Sequence, residues 1–342
     1  MKKKTSLFVG AIIILLVVFY NFRAVAQTYT LDIISLPVGY GVYNMGVGLA
    51  EEINKNSKII KAAHFEGKDP TVTMRMLITE PARKKRTIFF CDSWATWAGE
   101  KQIGLLRDVK YDYSKFKGLY LLSVSPNVLA TTNPNIKTLE DLKGKRVVLT
   151  STRGGVVDNV LGGILKEAGI LDTLKLQYLK PAEAKDALKD GLIDAAMFGI
   201  SLRKLPNVYK SAPTLVELTS TKDTYFISIP KIYVESFARK MNCYVRSVKV
   251  PPKMMGPLQT EPVEVISKYL FWACHSELPD EVVSEVLQIV YDRAHLFKNY
   301  DLMGEILSKE TMAKMGLKEH EIDPAAVKFY KEKKIPIGEL VE

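Results

Sequence analysis

Residues 138–170 read TLEDLKGKRVVLTSTRGGVVDNVLGGILKEAGI, and this pattern predicts a strand, a loop and a helix in succession. The apolar run at residues 147–149 is typical of a strand that is buried on both faces of a parallel sheet. Residues 150–155 follow as a loop, and Val156, Val160 and Ile164 then recur at helical spacing. Such a loop exposes unpaired N–H groups at a helix N-terminus, so it suits an anionic ligand group. A structural loop with nothing bound is the open alternative, because a glycine loop alone is a weak signal.

Strands and helices alternate on both sides of this segment, which indicates an α/β fold with an open, largely parallel sheet. Residues 116–132 form a longer apolar run that suits a strand passing between two domains. The apolar and turn patterns predict further strands at residues 29–35, 59–65, 88–91, 174–179, 193–198, 214–218 and 246–250. The residues after 250 are predicted to be helical, with helices over 262–274, from Pro279 and from Pro324.

The composition is that of an ordinary globular protein, with 342 residues, 47% hydrophobic and 25% charged. The net charge of +10 includes one compact basic cluster at residues 83–86, which is too short to indicate nucleic-acid binding and fits a solvated loop. Three scattered cysteines do not form a disulfide framework, and four histidines lack the spacing of metal ligands. We therefore expect neither a metal nor a cofactor, and leave open whether Cys243 and Cys274 pair.

Residues 1–26 have the pattern of a secretory signal peptide. Lys2, Lys3 and Lys4 precede an apolar run at residues 7–20, which is short for a bilayer span of ~20 residues. Residues 24–26, AVA, fit a cleavage site, so the mature chain is expected to begin at Gln27. An uncleaved anchor is the alternative, and both interpretations place the protein in the periplasm or otherwise outside the cytoplasm.

Several separated motifs resemble the TAXI-type solute-binding proteins, the extracytoplasmic receptors of TRAP transporters. They are PVGYGVYNMG at 37–46, IKTLEDLKGKRVVLTSTRGG at 136–155, LKDGLIDAAMF at 188–198, ISIPKIYV at 227–234 and IDPAAVKFYKEK at 322–333. The resemblance covers residues 28–334. It implies a two-lobed, periplasmic-binding-protein-like (type II-like) fold with helices flanking parallel-rich sheets and a ligand cleft between the lobes. The implied lobes are residues 27–124 with a helical 246–342, and residues 125–245.

The candidate ligand-binding residues follow the predicted strand ends, where open α/β sheets bind ligands. They are Gly39, Gly41, Tyr43, Asp92, Ser93, Trp94, Ser151, Thr152, Arg153, Gly154, Gly155 and Phe198. Tyr225 is added as a residue that could reach the cleft from the second lobe. Each also has a structural interpretation, as a helix cap, a core aromatic or a solvated side chain. Arg153 stands where the resemblance leads one to expect glycine, and its planar guanidinium suits a carboxylate.

The expected function is capture of a small organic solute, a carboxylate or an amino acid, for delivery to the membrane subunits of a TRAP transporter. A sensing module that presents ligand to a membrane signalling protein is the alternative. An enzyme is not expected, because the loop at 150–155 lacks the endings of nucleotide-binding motifs. Cys274 and His275 are also neighbours in sequence rather than a nucleophile and base facing each other.

Overall fold

A computed structural model describes residues 28–340, within which eleven strands form one mixed sheet flanked by helices. The strands are β1 (Tyr29–Ser35), β2 (Ile60–Glu66), β3 (Thr87–Asp92), β4 (Phe116–Thr131), β5 (Arg146–Thr150), β6 (Lys175–Tyr178), β7 (Ala195–Lys204), β8 (Val208–Ser211), β9 (Tyr225–Ile227), β10 (Arg246–Val250) and β11 (Val263–His275). The helices are α1 (Gly41–Asn56), α2 (Pro70–Thr79), α3 (Pro81–Lys84), α4 (Ser93–Lys101), α5 (Val156–Glu167), α6 (Pro181–Lys189), α7 (Pro213–Thr221), α8 (Lys231–Met241), α9 (Asp280–Arg293) and α10 (Pro324–Lys333). The predicted signal peptide lies outside the described residues.

The sheet has a parallel group of strands at each end and long antiparallel strands in the middle. Its order is β2-β1-β3-β11-β4-β7-β5-β6, with β10 on β11, β8 on β7 and β9 on β4. The pairs β1–β2, β1–β3, β5–β6 and β5–β7 are parallel. The prediction of an α/β fold with an open sheet is therefore confirmed.

The two central strands join the ends of the sheet. β4 is 16 residues long, and it pairs with β11 along Phe116–Asn127 and with β7 along Asn127–Ala130. β11 pairs with β10 through its first residues and with β3 through Leu270–Cys274. The predicted long strand at 116–132 is confirmed, and it links the two parallel groups.

Two of the predicted elements are wrong. Residues 262–274 were expected to be helical because Val265, Ile266, Tyr269 and Leu270 recur at helical spacing, yet they form β11. Nearly all of β11 is buried on both faces, so its apolar residues do not alternate as they do in a half-exposed strand. The region after residue 246 is consequently not wholly helical, since it contributes β10 and β11 to the sheet.

The second error concerns residues 214–218, which were expected to form a strand and lie in α7. Thr214 and Val216 are β-branched residues with a preference for strands. Pro213, however, occupies the first turn of a helix, and Leu215 and Leu218 are buried on one side of it. Burial of that helical stripe outweighs the local preference.

Helix starts follow their sequence signals. Asp69 caps α2 by accepting the N–H of Thr71 at 2.8 Å, and Pro70 follows at the first helical position. Asp323 and Pro324 begin α10 in the same way, with the Ala325 N–H 2.9 Å from the Asp323 carboxylate. The cap at Asp69 fixes this carboxylate next to the loop between β5 and α5.

Candidate ligand-binding site

A cavity of about 1150 Å³ lies along the carboxyl ends of strands from both parallel groups. This volume is somewhat above the range of ordinary small-molecule sites, which span ~300–1,000 Å³. Seven of the thirteen predicted site residues line it: Gly39, Gly41, Asp92, Ser151, Thr152, Arg153 and Phe198. The structure therefore brings together residues that follow β1, β3, β5 and β7, which the sequence separates by up to 160 positions.

Four predicted residues of the first parallel group and of β9 lie outside the lining of this cavity. Tyr43 packs edge-on against His64, with ring centroids 4.8 Å apart. Ser93 and Trp94 are buried in the first turn of α4. Tyr225 is part of β9 and pairs with Thr131 of β4. Their contact with a ligand stays a prediction.

Gly154 and Gly155 also lie outside the lining, and acceptors of the protein already occupy their N–H groups. The Gly154 N–H donates to Asp158 Oδ2 at 2.8 Å, and the Gly155 N–H donates to the Thr152 carbonyl at 3.1 Å. Gly154 has φ +71°, a left-handed conformation that favours glycine. In this conformation the loop stabilises itself rather than presenting these two donors to a ligand.

The N-terminus of α5, where an anionic ligand was expected, holds a carboxylate of the protein itself. The Val156 N–H donates to Asp69 Oδ2 at 3.2 Å. Asp69 is 7% exposed, and burial raises the pKa of its carboxyl. The positive end of the helix dipole and the N–H donors favour a carboxylate here. A ligand carboxylate must therefore bind elsewhere in the cavity or displace Asp69.

A second contact reaches the loop before α5 from the same end of the sheet. Tyr40, in the loop after β1, and Ser151, in the loop after β5, both line the cavity. Burial raises the pKa of the Tyr40 phenol, and the nearby Ser151 hydroxyl opposes the rise. Tyr40 and Asp69 thus both reach from the β1–β2–β3 end of the sheet to the loop before α5.

Arg153 lies in the lining of the cavity and is exposed. Burial raises the pKa of Tyr178, and the positive charge of Arg153 opposes that rise, so the two side chains are close. Direct pairing with a ligand and a solvated side chain both remain compatible with this position.

The floor of the cavity contains a buried ion pair that sequence reasoning missed. Lys268 Nζ lies 2.6 Å from Asp92 Oδ2 and 4.5 Å from the centroid of the Trp94 ring. Asp92 Oδ1 accepts the N–H groups of Trp94 and Ala95 at 3.1 and 2.8 Å, so Asp92 caps α4 as well. Lys268 was overlooked because residues 262–274 were predicted to form a helix. The available signal was a single lysine between VEVIS at 263–267 and YLFWAC at 269–274, in a mostly apolar stretch.

Apolar side chains form much of the remaining wall. Leu36, Val42 and Phe90 come from the β1–β2–β3 end of the sheet, and Val148 and Leu179 come from the opposite end. At the rim, Arg203 of β7 pairs with Glu305 in the short helical turn Leu302–Ile306. The cavity therefore suits an organic molecule with an apolar body and few polar groups.

The profile of the NMT1-like family matches residues 110–333, well over half of the chain. The chain belongs to the NMT1-like family. The matched residues include β4, β5, the loop before α5, β7 and β11, and thus most of the elements around the cavity.

Solved structures similar to this NMT1-like protein share its fold at low sequence identity. A protein described as a periplasmic transporter has a TM-score of 0.52 and 12% identity, covering 92% of this chain and 94% of its own. MatC from Rhodopseudomonas palustris, solved with bound malate, has a TM-score of 0.51 and 13% identity, covering 91% and 97%. The periplasmic binding protein BugD has a TM-score of 0.51 and 10% identity, covering 90% and 99%. The predicted two-lobed periplasmic-binding-protein fold is confirmed.

The cysteines and the clustered acidic or histidine side chains of this NMT1-like protein can be described for residues 28–340. No cluster of three or more His, Cys, Asp or Glu side chains with metal-site geometry occurs in that range. Cys91, Cys243 and Cys274 are free and buried, and burial raises the pKa of each thiol. The helices described there are also too short or too polar to cross a membrane.

Proposed function

We propose that this NMT1-like protein is an extracytoplasmic receptor that captures a small carboxylate-bearing organic solute. The observation that carries the proposal is the large cavity between the two parallel groups, which combines apolar walls with the cations Lys268 and Arg153. Concave, mostly apolar cavities with a few convergent polar groups are typical of small-molecule sites. The fold shared with MatC and BugD supports a binding role.

We further propose that the receptor delivers its solute to a TRAP-type membrane transporter. The sequence motifs that resemble TAXI-type receptors support this partner, as does the expected signal peptide. Residues 27–124 with 246–342 would form one lobe and residues 125–245 the other, with the chain crossing between them near 120–130 and near 243–250. Crosslinking in membranes followed by identification of the captured subunit tests the partner, and recovery of a histidine kinase would favour the sensing alternative.

A binding role is preferred to catalysis because the reactive side chains are engaged or buried. The Cys274 thiol lies 3.7 Å from the Asp323 carboxylate, and His275 Nε2 lies 2.7 Å from the Tyr111 hydroxyl. Neither residue lines the cavity. A nucleophile–base pair of the usual kind requires the two groups within hydrogen-bond reach of each other and of a substrate.

Mass spectrometry of small molecules released from natively purified protein tests the proposed function. We expect an organic acid in near-stoichiometric amount after denaturation, and binding of that acid to the refolded protein. Recovery of a neutral or cationic solute would contradict the carboxylate, and turnover of the solute on prolonged incubation would contradict the binding role.

A further inference from the structure

Three polar side chains lie on one face of the sheet at the floor of the cavity. Lys268 of β11 pairs with Ser125 of β4, and Asn127 lies two residues further along β4. Residues two apart on a strand point to the same face, so Lys268, Ser125 and Asn127 share it. All three line the cavity. Lys268 and Asn127 are diagonal neighbours, whose Cα atoms are roughly 7–8 Å apart in an antiparallel pair.

The Lys268 ammonium retains donors for a ligand. An ammonium has three N–H donors, and within residues 28–340 Lys268 donates to Asp92 Oδ2. Asp92 is in turn fully engaged, because its other oxygen accepts two backbone N–H groups. Lys268 is 8% exposed, which makes unused donors costly. A ligand acceptor at this position, such as a carboxylate oxygen, would satisfy them.

Asn127 presents the opposite requirement. Its Oδ1 atom is buried and has no hydrogen-bond partner among the described residues. The neighbouring Ser125 does not serve it, since the Ser125 hydroxyl donates to the Ile200 carbonyl at 3.0 Å. Buried acceptors in folded proteins nearly always find a donor. Because Asn127 lines the cavity, a ligand hydroxyl can supply that donor.

We propose that Lys268 and Asn127 form a two-point recognition site for a 2-hydroxy acid with an apolar body. The carboxylate accepts from Lys268, the adjacent hydroxyl donates to Asn127 Oδ1, and the body packs against the apolar walls. This inference rests on the proposed solute-binding function and specifies its substrate class.

The charges at the floor favour a hydroxyl over an ammonium group on the ligand. A 2-amino acid would place its cation next to Lys268, where like charges repel. The two buried carboxylates of the lining do not compensate, because Asp92 is paired with Lys268 and Asp69 is bound by Thr71 and Val156. The volume of about 1150 Å³ also exceeds what a four-carbon acid fills, so we expect a larger body.

Titration calorimetry with matched acids tests the site. The probes are 3-phenyllactate against 3-phenylpropionate and phenylalanine, with malate against succinate as a smaller pair. In the wild type we expect each hydroxy acid to bind about 5- to 30-fold more tightly than its deoxy partner, as one hydrogen bond to a buried acceptor provides. We also expect 3-phenyllactate to bind more tightly than malate and phenylalanine.

Asn127→Leu isolates the hydroxyl contact. The preference for each hydroxy acid should fall to about onefold, while the melting temperature stays equal or rises because an unpaired buried acceptor is removed. Asn135→Leu is the matched control, since Asn135 is exposed and lies outside the cavity lining. It should keep the wild-type preference.

Lys268→Met combined with Asp92→Asn isolates the carboxylate contact without leaving a buried charge. This pair should weaken hydroxy and deoxy acids alike by 10-fold or more, and circular dichroism verifies the fold. An unchanged hydroxy preference in Asn127→Leu, or equal binding of the 2-amino acid, would overturn the site while leaving the proposed receptor function intact. Failure of all these acids to bind the wild type would overturn the substrate class. The receptor function would then be tested separately, by whether mass spectrometry recovers a bound solute.

Discussion

Arg153 is an exposed cation at the edge of the cavity, and its role depends on whether the solute reaches it. If it pairs with a ligand carboxylate, Arg153→Ala should weaken binding about 10- to 150-fold, since a charge-assisted hydrogen bond contributes ~1.5–3 kcal/mol. Arg239→Ala, an exposed arginine on α8 outside the cavity, should change affinity less than about twofold. Calorimetry with the recovered acid measures both. Near-equal affinities would remove Arg153 from the site. Large losses here and in the Lys268 variant would indicate two anionic groups on the solute.

His275 makes the stability of the protein depend on pH. The Glu277 N–H donates to its Nδ1 at 3.2 Å, so Nε2 carries the proton and donates to the Tyr111 hydroxyl. Burial lowers the pKa of His275 to about 4, whereas an unfolded histidine titrates near ~6.5. Between these values the unfolded state binds more protons, so the free energy of unfolding should fall as pH decreases from 6.5 to 4, by roughly 3 kcal/mol.

Urea unfolding at a series of pH values measures this effect. The free energy of unfolding of His275→Gln should depend less on pH across that window, because the glutamine amide keeps an N–H near Tyr111 and does not titrate. His64, whose pKa is also lowered by burial, leaves a residual slope of the same sign. The control His320→Gln alters an exposed histidine and should retain the wild-type slope. Equal slopes in His275→Gln and the wild type would contradict the assignment.

At the scale of elements, local patterns predicted most of the sheet, including β4, but not β11, the other central strand. The strand at 146–150 and the helix after it follow directly from a short apolar run, a glycine loop and helical spacing. β11 could not be read the same way, because burial on both faces removes the alternation that marks a strand. That error also hid Lys268, so the predicted set contained Asp92 of the cavity floor but not the lysine that pairs with it.

The rest of the site depended on contacts between distant residues. Asp69 was predicted correctly as a helix cap, but its bond to Val156 joins positions 87 residues apart. No local pattern encodes that contact. The sequence indicated that the N–H groups at the start of α5 suit an anion. It did not indicate that a carboxylate of the protein, that of Asp69, accepts from the Val156 N–H.

The packing of α5 against α8 provides an element-scale test with a matched control on adjacent residues. A Cβ atom at Gly163 would overlap the ring of Phe237, which is buried and packs edge-on against Trp97. A Cβ atom at Gly162 would meet Leu171 at an ordinary 3.8 Å. Gly162→Ala should stabilise by up to about 1 kcal/mol through helix propensity. In Gly163→Ala, overpacking against Phe237 should lower the free energy of unfolding by ~1–3 kcal/mol and offset the gain in helix propensity. Urea unfolding measures both, and equal effects would contradict the close helix packing.

At the scale of the whole molecule, contacts join elements that belong to the two predicted lobes. Asp69 binds the start of α5, and Trp97 of α4 donates its indole N–H to the Met241 carbonyl at the end of α8, 3.0 Å away. The chain itself is expected to cross between the predicted lobes within β4 and near residues 243–250. The ion pair between Arg203 and Glu305 also joins the predicted lobes, so their movement apart would have to break it.

Ligand binding should therefore stabilise and compact the protein together. A solute that binds only the folded state raises the free energy of unfolding by ~2.7 kcal/mol at a hundredfold excess over Kd. Closure of the lobes around it should reduce the radius of gyration. Small-angle scattering and thermal unfolding on the same titration measure both quantities. Asn127→Leu should bind the hydroxy acid more weakly. The variant should therefore need a 5- to 30-fold higher concentration of the acid to reach the same stabilisation and compaction, as estimated above for one hydrogen bond. Stabilisation without compaction would indicate a cavity that is already closed around the solute, and would rule out lobe movement as part of capture.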